Sequence, residues 1–265
     1  MTLQNPPQSH PPGAVAPNPP LAGQVALITG AARRVGAEIA RALQRCGANV
    51  VIHCNRSRGE ADALAAELDA LRPGSALVLQ ADLLARGTPA SLVDATLAHY
   101  GRLDILVNNA STFYPTPFGE ITEAQWDDLM GSNLKAPLFM AQAALTPLRL
   151  ARGLVINIVD IHGMRPLRRY PVYSAAKAGL IMLTKSLARE MGPQVRVNGI
   201  APGPVMWPED GTADSDLQRK IVDRTALKRS GSAADIARAA VFFATEAPFV
   251  TGQILAVDGG RSVGW

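Results

Sequence analysis

Tyr173 and Lys177 are separated by Ser174-Ala175-Ala176, so on a helix a phenol and an ammonium share one face. A cation that close lowers the pKa of a phenol, and a tyrosine tuned in this way can pass a proton near neutral pH. A second stretch, Thr29-Gly-Ala-Ala-Arg-Arg-Val-Gly36, is a small-residue turn of the kind that lets backbone N–H groups approach a pyrophosphate. Neither signal is specific alone. Y-x-x-x-K also arises as a solvated pair, and a tight turn between strand and helix needs glycine whether or not it binds anything. Their meaning depends on the elements that position them.

From Gln24 onward short apolar runs alternate with helical patterns, the order of a parallel sheet covered on both faces. Strands are predicted at Val25–Thr29, Asn49–His53, Ala76–Leu79, Ile105–Val107, Leu154–Val159, Val195–Ile200 and Ile254–Val257. Helices are predicted at Val35–Cys46 with Gly47 beyond its end, at Arg58–Leu71, and from Thr88 as N-cap with Pro89 at the first helical position up to Gly101. The Thr122-x-x-Gln125 capping box opens a long fourth helix, another covers Val172–Met191, and Ser232-x-x-Asp235 opens the last. Between them, 202–214 reads as a loop. The fold class is therefore α/β, a Rossmann-type doubly wound parallel sheet of seven strands with helices on both faces.

The 265 residues, 48% of them hydrophobic, suit one large domain. The first 22 contain seven prolines and little apolar surface, so residues 1–22 are expected to be a disordered Pro-rich extension and 23–265 a single domain. That extension lacks the basic start and apolar stretch of a signal peptide, no segment is long and apolar enough for a membrane span, and the expected setting is cytoplasmic. The net charge of +4 is dispersed, with no basic run resembling a nucleic-acid arm, which favours small anionic ligands over nucleic acid. Cys46 and Cys54 lack metal-like spacing and read as small apolar residues; no metal site is expected.

Position gives the glycine turn its meaning, because it joins the first strand to the first helix, where such sheets bind dinucleotides. The second strand ends in His53-Cys-Asn-Arg-Ser57 without the acidic residue that would hold a ribose 2′-hydroxyl. Asn55, Arg56 and Ser57, with Arg33 as a second cation, can instead hold a 2′-phosphate, which points to NADPH. Asp82 and Leu83 follow the third strand and can rim an adenine; an aspartate there can equally start a turn.

Together with Asn108-Asn-Ala110 after the fourth strand and Ala201-Pro-Gly203 after the sixth, these residues resemble the short-chain dehydrogenase/reductase family over about Leu21 to Val263. The resemblance implies that Tyr173 is the acid/base and Lys177 its partner and ribose ligand. It also implies that Asn133 holds a relay water, and that Gly30, Arg33, Arg34, Val35, Asn108, Ala110, Ser111, Pro202 and Gly203 neighbour the cofactor. Asn133 has a second reading, a bond to backbone inside its helix.

Two departures from the family pattern bear on substrate. Thirteen residues before the tyrosine, where the family carries serine, stands Asp160; a carboxylic acid can give a proton to a ring nitrogen, whereas serine steadies a carbonyl oxygen. The middle glycine of the turn is Arg34, whose guanidinium can bridge a cofactor phosphate and a polar ring. With Asn109-Ala-Ser-Thr-Phe-Tyr114 and Tyr170, these features are similar to the pteridine reductases of the family. That similarity implies that Phe113 stacks a flat pterin, that Ser111 and Arg34 bond its edge or a phosphate, and that Tyr170 orients Asp160. Phe113 has a plainer reading as a core residue. Trp207 reads either as part of a lid or as an exposed aromatic. The implied reaction is NADPH-dependent reduction of a ring C=N of a dihydropterin such as dihydrobiopterin or dihydromonapterin, with dihydrofolate a further candidate, in a homotetramer. Two other readings stand beside it: a carbonyl reductase for ketoacyl, sugar or steroid substrates, and a non-catalytic NADPH-binding sensor.

Overall fold

Runs of Val, Ile and Leu without polar alternation form strands that are covered on both faces. The computed structural model describes residues 18–205 and 215–264. The strands β1 (Val25–Ile28), β2 (Asn49–Cys54), β3 (Ala76–Gln80), β4 (Ile105–Asn108), β5 (Leu154–Ile158), β6 (Arg196–Pro202) and β7 (Ile254–Val257) make one sheet in the order β3-β2-β1-β4-β5-β6-β7. Every neighbouring pair is parallel, with Ile28 opposite Ile52 on one side and Val107 on the other. This is the expected doubly wound Rossmann-type sheet.

The helices are α1 (Arg34–Arg45), α2 (Arg58–Leu71), α3 (Thr88–Tyr100), α4 (Glu123–Met130), α5 (Ala136–Ala143), α6 (Leu145–Ala151), α7 (Pro171–Met191), α8 (Ser215–Asp223) and α9 (Ala233–Thr245). Period-two alternation in β1 divides the core. Ala26 and Ile28 pack with Ile39, Leu43, Leu64, Leu68, Ile236 and Phe243 from α1, α2 and α9. Val25 and Leu27 pack with Leu92, Met140, Leu148 and Met191 from α3, α5, α6 and α7. Cys54 is buried at the end of β2, and Cys46, just past α1, is half-buried.

Several expected boundaries move. Leu21 is 1% exposed and its N–H donates to the Cys46 carbonyl at 2.9 Å, so the packed domain begins before residue 23; residues 1–17 lie outside the described residues. The N-cap of α3 is Gly87, not Thr88, because Gly87 takes the left-handed conformation (φ 83°) and its carbonyl accepts the Ser91 N–H at 3.1 Å. The long fourth helix is interrupted by a π-helical turn at Gly131–Lys135 and again after Ala143. Proline explains both breaks: Pro137 and Pro147 have no N–H to give the carbonyls of Asn133 and Ala143, four residues earlier. Strand β6 runs on through Pro202, and α8 stands where no element was expected. Trp207 lies outside the described residues.

Both expected capping signals are present. Thr122 Oγ1 accepts the Gln125 N–H at 3.2 Å while Gln125 Oε1 accepts the Thr122 N–H at 3.0 Å. At α9 the Asp235 carboxylate accepts from the Ser232 N–H at 2.8 Å and from its hydroxyl at 2.9 Å.

Gly153 enters β5 so close to the chain before β4 that a Cβ there would lie 2.3 Å from the Asp104 carbonyl oxygen. That oxygen accepts the Leu154 N–H at 2.9 Å, so alanine would have to part the two strands. Gly153→Ala is expected to lower the denaturant midpoint by an amount equivalent to about 1–3 kcal/mol. Gly59→Ala, in α2 with nothing within 4 Å of the added carbon, should leave the midpoint unchanged or raise it.

Candidate active site

Strand order reverses at β1, and the crevice beyond the carboxyl ends of β1 and β4 is where such sheets bind ligands. The turn from Thr29 to Gly36 lines it. Gly30 has φ 61°, and a Cβ there would lie 2.9 Å from Ala110 Cα; a Cβ on Gly36 would lie 2.5 Å from both Asn109 Nδ2 and the Gly30 carbonyl oxygen. Only glycine admits this packing. Arg34, exposed, holds the left-handed conformation (φ 56°) where the family pattern has glycine, at a cost of about 1–2 kcal/mol for a residue with a Cβ. No side chain caps α1 and no acid stands in its first turn, in contrast to α4 and α9. Its leading N–H groups thus lack a side-chain acceptor, and the turn fits an anionic group such as a pyrophosphate.

Thr29 and Asn109 build this turn, although neither was singled out as a site residue. Thr29 Oγ1 accepts the N–H of Asn109 at 3.0 Å and of Ala110 at 3.1 Å, and Asn109 Nδ2 donates to the carbonyls of Thr29 and Gly30, each at 2.9 Å. The doubled asparagine was the available signal. Asn108, expected beside the cofactor, has its side chain buried instead: its amide donates to Asn157 Oδ1 at 2.9 Å, and Asn157 donates to Thr184 Oγ1 at 2.9 Å. Strand alternation decides this, since Asn108 and Asn109 point to opposite sides. Val35 packs on the core.

At the end of β2, Asn55 and Arg56 are exposed and Ser57 is half-buried. Arg33 lies 3.5 Å from Glu60, and among the described residues Arg56 has no ion-pair or hydrogen-bond partner. Asp82 adopts the second of its two readings: its Oδ1 accepts the Leu84 N–H at 2.9 Å and forms a turn, while Leu83 packs on the core below. Pro202 closes β6 opposite Val257. Gly203 donates to the Val257 carbonyl at 3.1 Å, where a Cβ would meet Asp258 Cβ at 2.5 Å.

Across the crevice, the phenol of Tyr173 donates to Asp160 Oδ2 at 2.7 Å, and Asp160 Oδ1 accepts the His162 N–H at 2.7 Å. Asp160 precedes the 3₁₀ turn Ile161–Gly163, whose Gly163 sits so close to α7 that a Cβ there would lie 2.7 Å from the Lys177 carbonyl carbon. Lys177 is buried, donates to the Ile158 carbonyl at 3.0 Å, and lies 5.6 Å from the centre of the Tyr173 ring. Burial lowers its pKa to about 8, against the pull of Asp160. The expected lowering of the phenol is overturned. Burial, and then the charge and acceptor bond of Asp160, hold Tyr173 well above the usual tyrosine value, opposed only by the Ser111 hydroxyl.

Ser111 donates to Asn133 Oδ1 at 2.6 Å. Asn133 Nδ2 donates to the carbonyls of Thr112 and Leu129, each at 3.0 Å, so its side chain makes the backbone bonds of the second reading and reaches Tyr173 only through Ser111. Phe113 is 54% exposed, which excludes the core reading. Its ring is stacked on Tyr170 at 4.6 Å and 10° and is edge-on to Tyr173 at 4.8 Å. Tyr170 therefore backs Phe113, and the bonds that orient Asp160 come from His162 and Tyr173, not from Tyr170 as expected. The loop carrying Phe113 is tied down by Tyr114, whose hydroxyl donates to Asp128 at 2.9 Å, and by the Thr116 N–H, which donates to the Arg169 carbonyl at 2.7 Å.

Residues 30–262 match a family profile described as enoyl-(acyl carrier protein) reductase. Pteridine reductase 1 of Leishmania tarentolae is 37% identical over 281 aligned positions, which cover 90% of this chain and 96% of that one. The 3-oxoacyl-[acyl-carrier-protein] reductase of Staphylococcus epidermidis is 33% identical over 239, covering 89% and 97%, and the L-fucose dehydrogenase of Bos taurus 37% over 252, covering 92% and 91%. Among solved structures, a blue fluorescent protein from a metagenomic library in complex with NADPH shares the fold at a TM-score of 0.85 and 33% identity, over 91% of this chain and 98% of that one. Reductases and dehydrogenases of such different substrates agree with this sequence along nearly its whole length, and the chain belongs to the short-chain dehydrogenase/reductase family.

Proposed function

We propose that this protein is an NADPH-dependent pteridine reductase that reduces a ring C=N of a dihydropterin to the tetrahydro form. The observation that carries the reading is the 2.7 Å bond between Tyr173 and Asp160. It places an acid pair where a carbonyl reductase would have a phenol and a serine. The 37% identity to a pteridine reductase supports it.

NADPH, when bound, supplies the hydride that reaches the ring carbon. Gly30, Arg34, Ala110 and the backbone of Val35 would hold its pyrophosphate, and Arg33, Arg56 and Ser57 its 2′-phosphate. Lys177 and Tyr173 would hold its ribose, as the family pattern implies. Tyr173 keeps its proton at neutral pH because its environment raises its pKa. That proton sits on Tyr173 Oη, 2.7 Å from Asp160 Oδ2: a ring nitrogen placed against Oη would take it directly as charge develops, and one placed against Oδ2 would take it after it has passed from Oη to the carboxylate, either path leaving a phenolate at Tyr173. Phe113 presents one face to Tyr170 and keeps the other for a flat heterocycle, with Ser111 and Arg34 at its edge.

The reading extends to a homotetramer, in which the exposed apolar side chains of Leu138 and Phe139 on α5 and Met182 on α7 would be covered, and to a cytoplasmic setting. Among the described residues no helix is long and apolar enough to cross a membrane.

Assays of NADPH oxidation with dihydrobiopterin, dihydromonapterin and dihydrofolate, set beside a β-ketoacyl thioester, should show turnover with a pterin; turnover with the thioester alone would overturn the reading, and NADPH binding without turnover of any would favour a sensor. Tyr173→Phe and Asp160→Ala should each lower pterin turnover by about 10²–10⁴-fold while NADPH still binds. Arg56→Ala should weaken NADPH by about tenfold or more and leave NADH affinity unchanged, as a titration of each cofactor would read. The lowered lysine gives a third outcome. Lys177 in the free protein is half-protonated at about 8, and an anionic cofactor beside it favours the charged form. Cofactor binding between about pH 8 and 9 should therefore take up a proton, and at about pH 7 this uptake should nearly vanish; calorimetry in buffers of different ionisation enthalpy measures it, with Lys177→Met as the control.

A further inference from the structure

His53, near the carboxyl end of β2, is 1% exposed and carries no role in the reaction described above. Its ring joins two segments that are distant in sequence. Nδ1 accepts the Gly30 N–H at 3.1 Å, and Nε2 lies 3.1 Å from the Ala81 carbonyl oxygen. A backbone amide can only donate and a carbonyl can only accept, so Nδ1 is bare and Nε2 carries the hydrogen: the ring is neutral and its tautomer is fixed by its two partners. The His53 backbone acts on the same turn, because its carbonyl accepts the Ala31 N–H at 2.8 Å. One residue thereby holds two successive amides, those of Gly30 and Ala31, in the turn that leads into α1.

We propose that His53 is a positioning residue for the cofactor: as a neutral acceptor it sets the Gly30 peptide, and through it the direction in which the rest of the turn presents its N–H groups to the pyrophosphate. The proposal rests on the reading that this turn binds NADPH. Gly30 has little freedom to find another arrangement, since its left-handed backbone already lies against Ala110. Protonation of the ring puts a hydrogen on Nδ1 facing the Gly30 N–H, two donors with no acceptor between them, in a site closed to water. The turn must then move or the proton must leave. From β1 and the turn the ring meets only the Gly30 amide, from the end of β3 the Ala81 carbonyl, and from the loop after it the charge of Asp82. Burial pushes the imidazole below its ordinary value and outweighs the opposing effects of Ala81 and Asp82, so the acceptor form prevails at neutral pH.

The test compares wild type, His53→Ala and His53→Asn by fluorescence titration with NADPH and with NADH, from about pH 7.5 down to the lowest pH at which the proteins stay folded, alongside turnover at saturating NADPH. Asparagine can place its Oδ1 where Nδ1 stands but does not titrate. At the upper pH His53→Ala should bind NADPH about tenfold more weakly with turnover at saturation nearly unchanged, and His53→Asn should recover most of the loss. On acidification wild type should lose NADH affinity and His53→Asn should not; NADH lacks the 2′-phosphate, whose own titration near pH 6 adds an acid limb for NADPH in both proteins. Equal NADPH affinity for wild type and His53→Ala, or the same NADH pH profile for wild type and His53→Asn, would overturn the proposal. If His53→Ala does not fold, the pH comparison with His53→Asn decides it alone. Wild type that binds neither cofactor would overturn the cofactor reading itself, a failure distinct from both.

Discussion

Strand β1 pairs with β2 on one side and β4 on the other, and the chain changes direction across the sheet between those two neighbours. Helices leaving the ends of β1 and β4 must diverge to opposite faces, which leaves a gap that neither covers. The rest of the site follows from this gap. It gives the first turn of α1 somewhere to point, and it brings the Thr29–Gly36 turn against Asn109 and Ala110, where two glycines are needed for the chains to pass. The bonds of Thr29 and Asn109 then lock one lip of the crevice to the other across some 80 residues of sequence.

The opposite wall is organised by charge rather than by close packing. Lys177 and Tyr173 are buried and Asp160, half-buried between them, acts on both: the carboxylate raises the pKa of the phenol and steadies the lysine's charge against desolvation. The 3₁₀ turn that carries Asp160 is pressed on the backbone of α7 at Gly163, so the carboxylate and the phenol are held by parts that cannot shift separately. Aromatic packing continues this wall outward, from Tyr173 to Phe113 to Tyr170.

The sheet was legible because buried parallel strands leave a plain mark, uninterrupted Val, Ile and Leu; β7 and α2 fall on the expected residues. Segments whose form depends on distant partners were not. The π-helical turn follows from Pro137, yet proline also sits harmlessly in the first turns of α3 and α7, and only tertiary packing separates the cases. Helix α8 is amphipathic but only nine residues long, and so few apolar positions do not stand out from the polar run that precedes them in the sequence. In the site, Tyr173 and Lys177 were found by spacing and type and Asp160 by its departure from the family pattern, but the sense of the phenol's shift was not, because the expectation weighed the lysine four residues away and not the carboxylate that folding brings within a hydrogen bond. The roles of Asn108 and Asn109 turn on which side of β4 each faces at its end, a matter of register that two adjacent identical residues cannot declare.

Leu21 is packed beneath the start of β1, with its N–H on the Cys46 carbonyl and with Pro19 against Gly47. The polypeptide therefore enters the sheet at the amino-terminal end of β1, opposite the crevice. In mechanical terms this is an anchor point: a pull applied from the amino-terminal side loads the Leu21 seat and the start of β1 before it reaches the crevice.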